Sequence, residues 1–91
     1  MTAAGWTWDE VKARHSVGSQ VQGTIIDVPH YGVWADLGVG FPGLLLIPDA
    51  GLGRGQQTAD HFRVGDPLTA TVLWHNDERK QIRLIRRMQT A

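Results

Sequence analysis

The chain has 91 residues, of which 42% are hydrophobic, no cysteine, and nine basic against nine acidic side chains for a formal net charge of zero. That length feeds one hydrophobic core, not two, and the absence of thiols excludes both a disulfide framework and a thiolate metal site. No apolar run reaches the roughly 18 residues of a membrane span, and the opening MTAAGWTWDE has no basic or apolar leader pattern, so a soluble cytoplasmic protein is expected.

Thr7-Trp8-Asp9-Glu10 fits a capping box, in which the Thr7 hydroxyl accepts from the Glu10 backbone N–H and the Glu10 carboxylate accepts from the Thr7 N–H. A short helix to about His15 should follow, with Trp8, Val11 and His15 on one face, stopped by Gly18. Trp8 and Val11 are expected to plug one end of a barrel. The β-branched run from Val21 to Val28 predicts a first strand, closed by Pro29. In the second strand Val33, Ala35 and Leu37 alternate with Trp34 and Asp36, so period 2 sends the first set inward and Trp34 outward.

Gly38 to Gly43 reads as a turn before a third strand, Leu44 to Ile47, in which parity separates Leu45 and Ile47 from Leu44 and Leu46. Residues 48 to 66 are rich in glycine, with at most one helical turn around Thr58 to Phe62. Leu68 to His75 predicts a fourth strand, Asn76 to Arg79 a turn, and Lys80 to Arg87 a fifth strand with Ile82 and Leu84 inward and Arg83 outward. Strict alternation from Leu68 would bury Trp74, whereas a bulge would expose it. Five short strands with one long connection suit an all-β, five-stranded Greek-key barrel with a short N-terminal helix. Charge is divided: Arg79, Lys80, Arg83, Arg86 and Arg87 give the last 13 residues +5 with no acid, and the rest carries −5.

Gly38, Gly40 and Gly43 match G-x-G-x-x-G, but that fingerprint works by opening a helix onto a pyrophosphate, and Pro42 with the following LLLIP leaves no such helix. The glycines of residues 51 to 55 lack the lysine of a phosphate loop. The histidines at 15, 30, 61 and 75 share no ligand spacing, and no nucleophile or carboxylate pair is arranged for chemistry, so neither a metal, a cofactor nor an enzyme is expected.

Val17-Gly-Ser-Gln-Val-Gln-Gly-Thr-Ile, His30-Tyr-Gly-Val-Trp-Ala-Asp-Leu-Gly, Gly43-Leu-Leu-Leu-Ile-Pro-Asp, Phe62-Arg-Val-Gly-Asp and Asp77-Glu-Arg-Lys-Gln-Ile-Arg-Leu, in this order and spacing, resemble the S1 RNA-binding domain family. The resemblance implies a stand-alone bacterial member: a capping helix over residues 1–16, an OB-type barrel over 17–88 and a tail over 89–91. It implies single-stranded RNA on the face of the second and third strands, with Tyr31 and Trp34 as the stacking aromatics, Asp77 as the acidic residue before the last strand, and Arg79, Lys80 and Arg83 near phosphates. Two positions depart from the family pattern, Leu46 standing where a histidine is common and Gln81 where an arginine is common. The expected function is therefore single-stranded RNA binding with weak sequence preference, linked to translation or RNA metabolism. The alternative is a protein-interaction barrel for a ribosomal or RNA-processing partner, since Leu46 and Trp34 would form an apolar patch.

Overall fold

The structure, a computed structural model, describes residues 6–46 and 61–86. Helix α1 (Trp8–Arg14) precedes strands β1 (Gln20–Asp27), β2 (Gly32–Asp36), β3 (Pro42–Leu46), β4 (Pro67–Asn76) and β5 (Gln81–Ile85). The strands close into a barrel in the order β1-β2-β3-β5-β4. All pairs are antiparallel except β3 with β5. Among the described residues this is the five-stranded barrel with a short N-terminal helix that the strand pattern leads one to expect. The predicted end of the third strand at Ile47, the segment 48–60, Arg87 and the tail at 89–91 lie outside the described residues, as does most of the helical turn predicted around Thr58 to Phe62.

Helix α1 begins as its sequence dictates. The Glu10 N–H donates to Thr7 Oγ1 at 3.2 Å and the Thr7 N–H donates to Glu10 Oε1 at 2.8 Å, so two helix-end donors are satisfied reciprocally. Seven residues are too few to hold a helix alone in water. Tertiary packing supplies the rest: Val11 is fully buried in the barrel core, and Trp6 and Trp8 pack against it.

The core is built by alternation. Val21 and Ile25 of β1, Val33 and Ala35 of β2, Leu45 of β3, Leu68, Ala70 and Val72 of β4, and Ile82 and Leu84 of β5 all point inward and are buried. Gly32 faces the β2–β3 seam, where an added Cβ would collide with the Leu45 carbonyl oxygen. Gly38 and Gly40 take positive φ (77° and 88°), as the turn between β2 and β3 requires. The G-x-G-x-x-G string is a strand connection here.

One alternative that the sequence leaves open is decided, and one strand boundary needs correction. Strict alternation would bury Trp74, but the β4–β5 register shifts between Val72 and Trp74, and the tryptophan is 42% exposed. The extra residue reverses parity, so Trp74 pairs with outward Arg83 and His75 with inward Ile82. The fifth strand begins one residue later than expected, because Lys80 sits at φ 52° in the left-handed region and belongs to the turn.

The registers also fix how the barrel is sheared. A row of neighbours leaves β4 at Pro67 and passes Thr24, Asp36 and Pro42. One residue farther along β3 it continues through Gly43, Ile82 and His75, so it regains β4 near that strand's other end. Such stagger requires steeply tilted strands. A row of cross-strand neighbours therefore climbs along the barrel, and its outward side chains share one side.

Candidate functional site

Tyr31 occupies the last position of the β1–β2 connection, and Trp34 the middle of β2 on its outward parity. The Trp34 indole N–H donates to the Tyr31 hydroxyl at 2.9 Å, which locks the two rings into one unit. Tyr31 is 43% exposed and Trp34 half-buried. The His30 ring stands edge-on to Tyr31, with centroids 5.5 Å apart and planes at 85°. His30 is a contributor that sequence reasoning missed, and its only signal was adjacency to Tyr31. Gly32 between the aromatics lets β3 come close, opposite Leu46.

The outward row through Trp34 continues to Leu44 of β3, Arg83 of β5 and Trp74 of β4. Leu44 is only 7% exposed although its parity is outward, and it stands between Trp34 and Arg83 in register. The Arg83 guanidinium lies over the Trp74 ring, 5.1 Å from its centroid, a cation–π arrangement. At the other end of the row Asp27 pairs with Trp34, and its carboxylate accepts from the Val28 N–H at 2.9 Å. The row therefore runs from an acidic to a basic end. Leu46 and Gln81 are both half-buried, and Gln81 pairs with Asn76.

The β4–β5 turn carries Asp77, Arg79 and Lys80, all exposed. The Arg79 backbone N–H donates to Asn76 Oδ1 at 3.2 Å, an Asx-type brace for the turn. Asp77 is tied to the distant helix: its Oδ1 accepts from the Trp8 indole N–H at 2.7 Å and from Lys12 Nζ at 3.0 Å. These two donors hold the Asp77 carboxyl below the usual carboxylate range, the Trp8 bond being the larger cause. Thus Asp77, Lys80, Arg79 and Arg83 cluster on and beside one turn, whereas Tyr31 and Trp34 come from the opposite end of the row.

Below that turn lies an aromatic plug. Trp8 meets Phe41 at 5.1 Å and His75 at 6.1 Å, both edge-on, and Trp6 meets His15 at 5.2 Å. The His75 Nε2 is 2.7 Å from the His15 carbonyl oxygen. Because that oxygen only accepts, Nε2 carries the proton. Burial lowers the His15 pKa, opposed in part by a backbone bond at Arg14 and reinforced by nearby His75. His30 thus stands beside Tyr31, and His15 and His75 at the helix seat. Among the described residues no group of three or more histidine, aspartate or glutamate side chains is placed to hold a metal ion, and no helix is long and apolar enough to cross a membrane.

Comparison with known proteins agrees with this geometry. The family model described as the S1 RNA binding domain matches residues 14–87. The small ribosomal subunit protein bS1 of Helicobacter pylori (strain J99) is 31% identical over 77 residues, which is 85% of this chain and 14% of that protein. The Coxiella burnetii bS1 is 36% identical over 67 residues, 74% of this chain and 12% of its own length. The chain therefore spans about a seventh of the curated relatives it matches. Among solved structures, GSP13 from Bacillus subtilis superposes with a TM-score of 0.70 at 28% identity, covering 77% of this chain and 54% of that one. With the barrel order, the outward aromatic pair and the family match over most of its length, the chain belongs to the S1 RNA-binding domain family.

Proposed function

We propose that this protein binds single-stranded RNA with weak sequence preference, in a cytoplasmic role in translation or RNA metabolism. The observation that carries the reading is the Trp34–Tyr31 bond, which presents two outward rings already oriented to one another. A π-face accepts any base, and each stack contributes roughly 1–3 kcal/mol without hydrogen-bond readout. Preorganisation matters because rings that are already immobilised lose less entropy when a base arrives. Arg79, Lys80 and Arg83 meet phosphates, and Asp77, whose Oδ1 is engaged by Trp8 and Lys12, offers its other oxygen to a ribose or base donor. Leu46 and Gln81 in place of the more usual histidine and arginine shift the balance from polar contacts to stacking. The reading is one of binding, not catalysis.

Titrating labelled single-stranded RNA against wild type and the Tyr31→Ala/Trp34→Ala double variant, at two salt concentrations, tests this. Binding that weakens strongly in the double variant is expected; binding indifferent to both rings, or none at low salt, overturns it. A second reading, a barrel that docks a ribosomal or RNA-processing protein, is favoured by Leu46 standing opposite the side-chain-free Gly32. It requires a pull-down that survives nuclease treatment and is lost in Leu46→Asp.

A further inference from the structure

The bulge in β4 has a local cost, since one residue drops out of ladder pairing with β5. What it accomplishes is to turn a large indole from the core to the surface, where it is 42% exposed and partnered by a guanidinium. Bulges of this kind re-aim side chains. Trp74 shares its row with Trp34, three strand spacings away, or about 14 Å at roughly 4.8 Å per strand. The shear of the barrel keeps both on one side. Charge along the row rises from Asp27 beside Trp34 to Arg83 beside Trp74, with Arg79 and Lys80 in the adjoining turn. An anionic ligand leaving Trp34 is drawn toward that basic end.

We propose that Trp74, with Arg83 stacked on it, is a second base-stacking station, so that one RNA strand passes from the Tyr31–Trp34 pair over Leu44 to Trp74. This deepens the reading above and rests on it. Both an exposed indole face and a guanidinium plane stack on bases, and Arg83 adds the charge that meets the intervening phosphate. Leu44, only 7% exposed, lies beneath the path between the two stations. At about 3.4 Å or more per nucleotide, about 14 Å is covered by roughly four nucleotides at most, so a dinucleotide fills the first station and leaves the second empty.

The test uses the full chain labelled with 5-fluorotryptophan, whose four resonances are assigned by single Trp→Phe variants, titrated with oligouridylates of about 2 and about 12 nucleotides. The expected result is that the Trp34 signal moves with both oligonucleotides and the Trp74 signal with the longer alone, while buried-side Trp6 stays fixed. Trp74→Ala should weaken binding of the longer oligonucleotide about 5-fold or more and leave the shorter unaffected, with Trp74→Phe restoring most of the loss. A Trp74 signal that stays still while Trp34 moves overturns the second station and leaves the first intact. If neither moves, the RNA-binding reading itself fails.

Discussion

Gly32→Ala perturbs the seam on which the aromatic pair depends. A Cβ at this position would run into the Leu45 carbonyl oxygen and lie 3.0 Å from the Leu46 Cα and 3.2 Å from the Leu45 carbonyl carbon. All three are backbone atoms of β3, so no side chain can swing away, and the Gly32–Leu46 pairing must open. Overpacking of this severity costs about 2–4 kcal/mol, at or just above the usual range for an inserted methyl group. Against a total stability of roughly 5–13 kcal/mol for 91 residues, that is a large fraction. With a urea m-value of about 1–3 kcal/mol/M, the unfolding midpoint should fall by on the order of 1 M. Because Tyr31 adjoins this residue and Trp34 lies two beyond it, the Trp34–Tyr31 bond should be disturbed and RNA affinity should fall even in conditions where the variant is fully folded. Gly38→Ala is the control: its φ of 77° carries a backbone cost of about 1 kcal/mol, but the site is open, with nothing within 4 Å of the added carbon. Equal midpoints for Gly32→Ala and wild type would refute the close-approach argument.

Other consequences are equally open to measurement. Lys80→Gly relieves a left-handed residue and should stabilise by up to about 1 kcal/mol in urea unfolding while weakening RNA binding; a destabilised variant would contradict the turn assignment. With about three phosphate contacts from Arg79, Lys80 and Arg83, the slope of log K against log salt should be near −2, and each removed charge should flatten it by about 0.7. The folded-state pKa of His15 lies below its unfolded value, so its contribution to stability is complete above pH ~6.5 and declines as pH falls below that. Thermal unfolding should accordingly show a drop in Tm from pH 7 toward 5 that shrinks in His15→Gln. The Asp77 carboxyl is depressed, so its contribution is present above pH ~4 and lost only as pH falls below that; Asp77→Asn should loosen α1, read as faster amide exchange at residues 8–14, and leave β2 protected.

The elements with a local cause were legible in advance. The capping box at Thr7 and Glu10 sits within four residues and forms as written. The alternation Val33–Trp34–Ala35–Asp36 likewise sets its own inward and outward faces. Long-range causes were not legible. Period 2 does not locate the bulge before Trp74, because the bulge is defined by registry against β5, not by any residue within β4. Leu44 has outward parity yet is nearly buried, a fact of its cross-strand neighbours Trp34 and Arg83. The bond from Trp8 to Asp77 joins residues 69 apart in sequence, so nothing local marks Asp77 as the anchor of the helix. Trp34 and Arg83 were placed outward by pattern and are outward here, and Tyr31 came from the resemblance alone, whereas the bond uniting Tyr31 and Trp34 had no sequence signature.

The most direct test of the central claim is a map of backbone amide shifts in the uniformly labelled protein as single-stranded oligouridylate is added. The largest changes are expected at residues 31–36, with the facing positions on β3 and β5 following and the amides of α1 nearly still. Changes concentrated elsewhere, with residues 31–36 unmoved at saturating oligonucleotide, would contradict the claim.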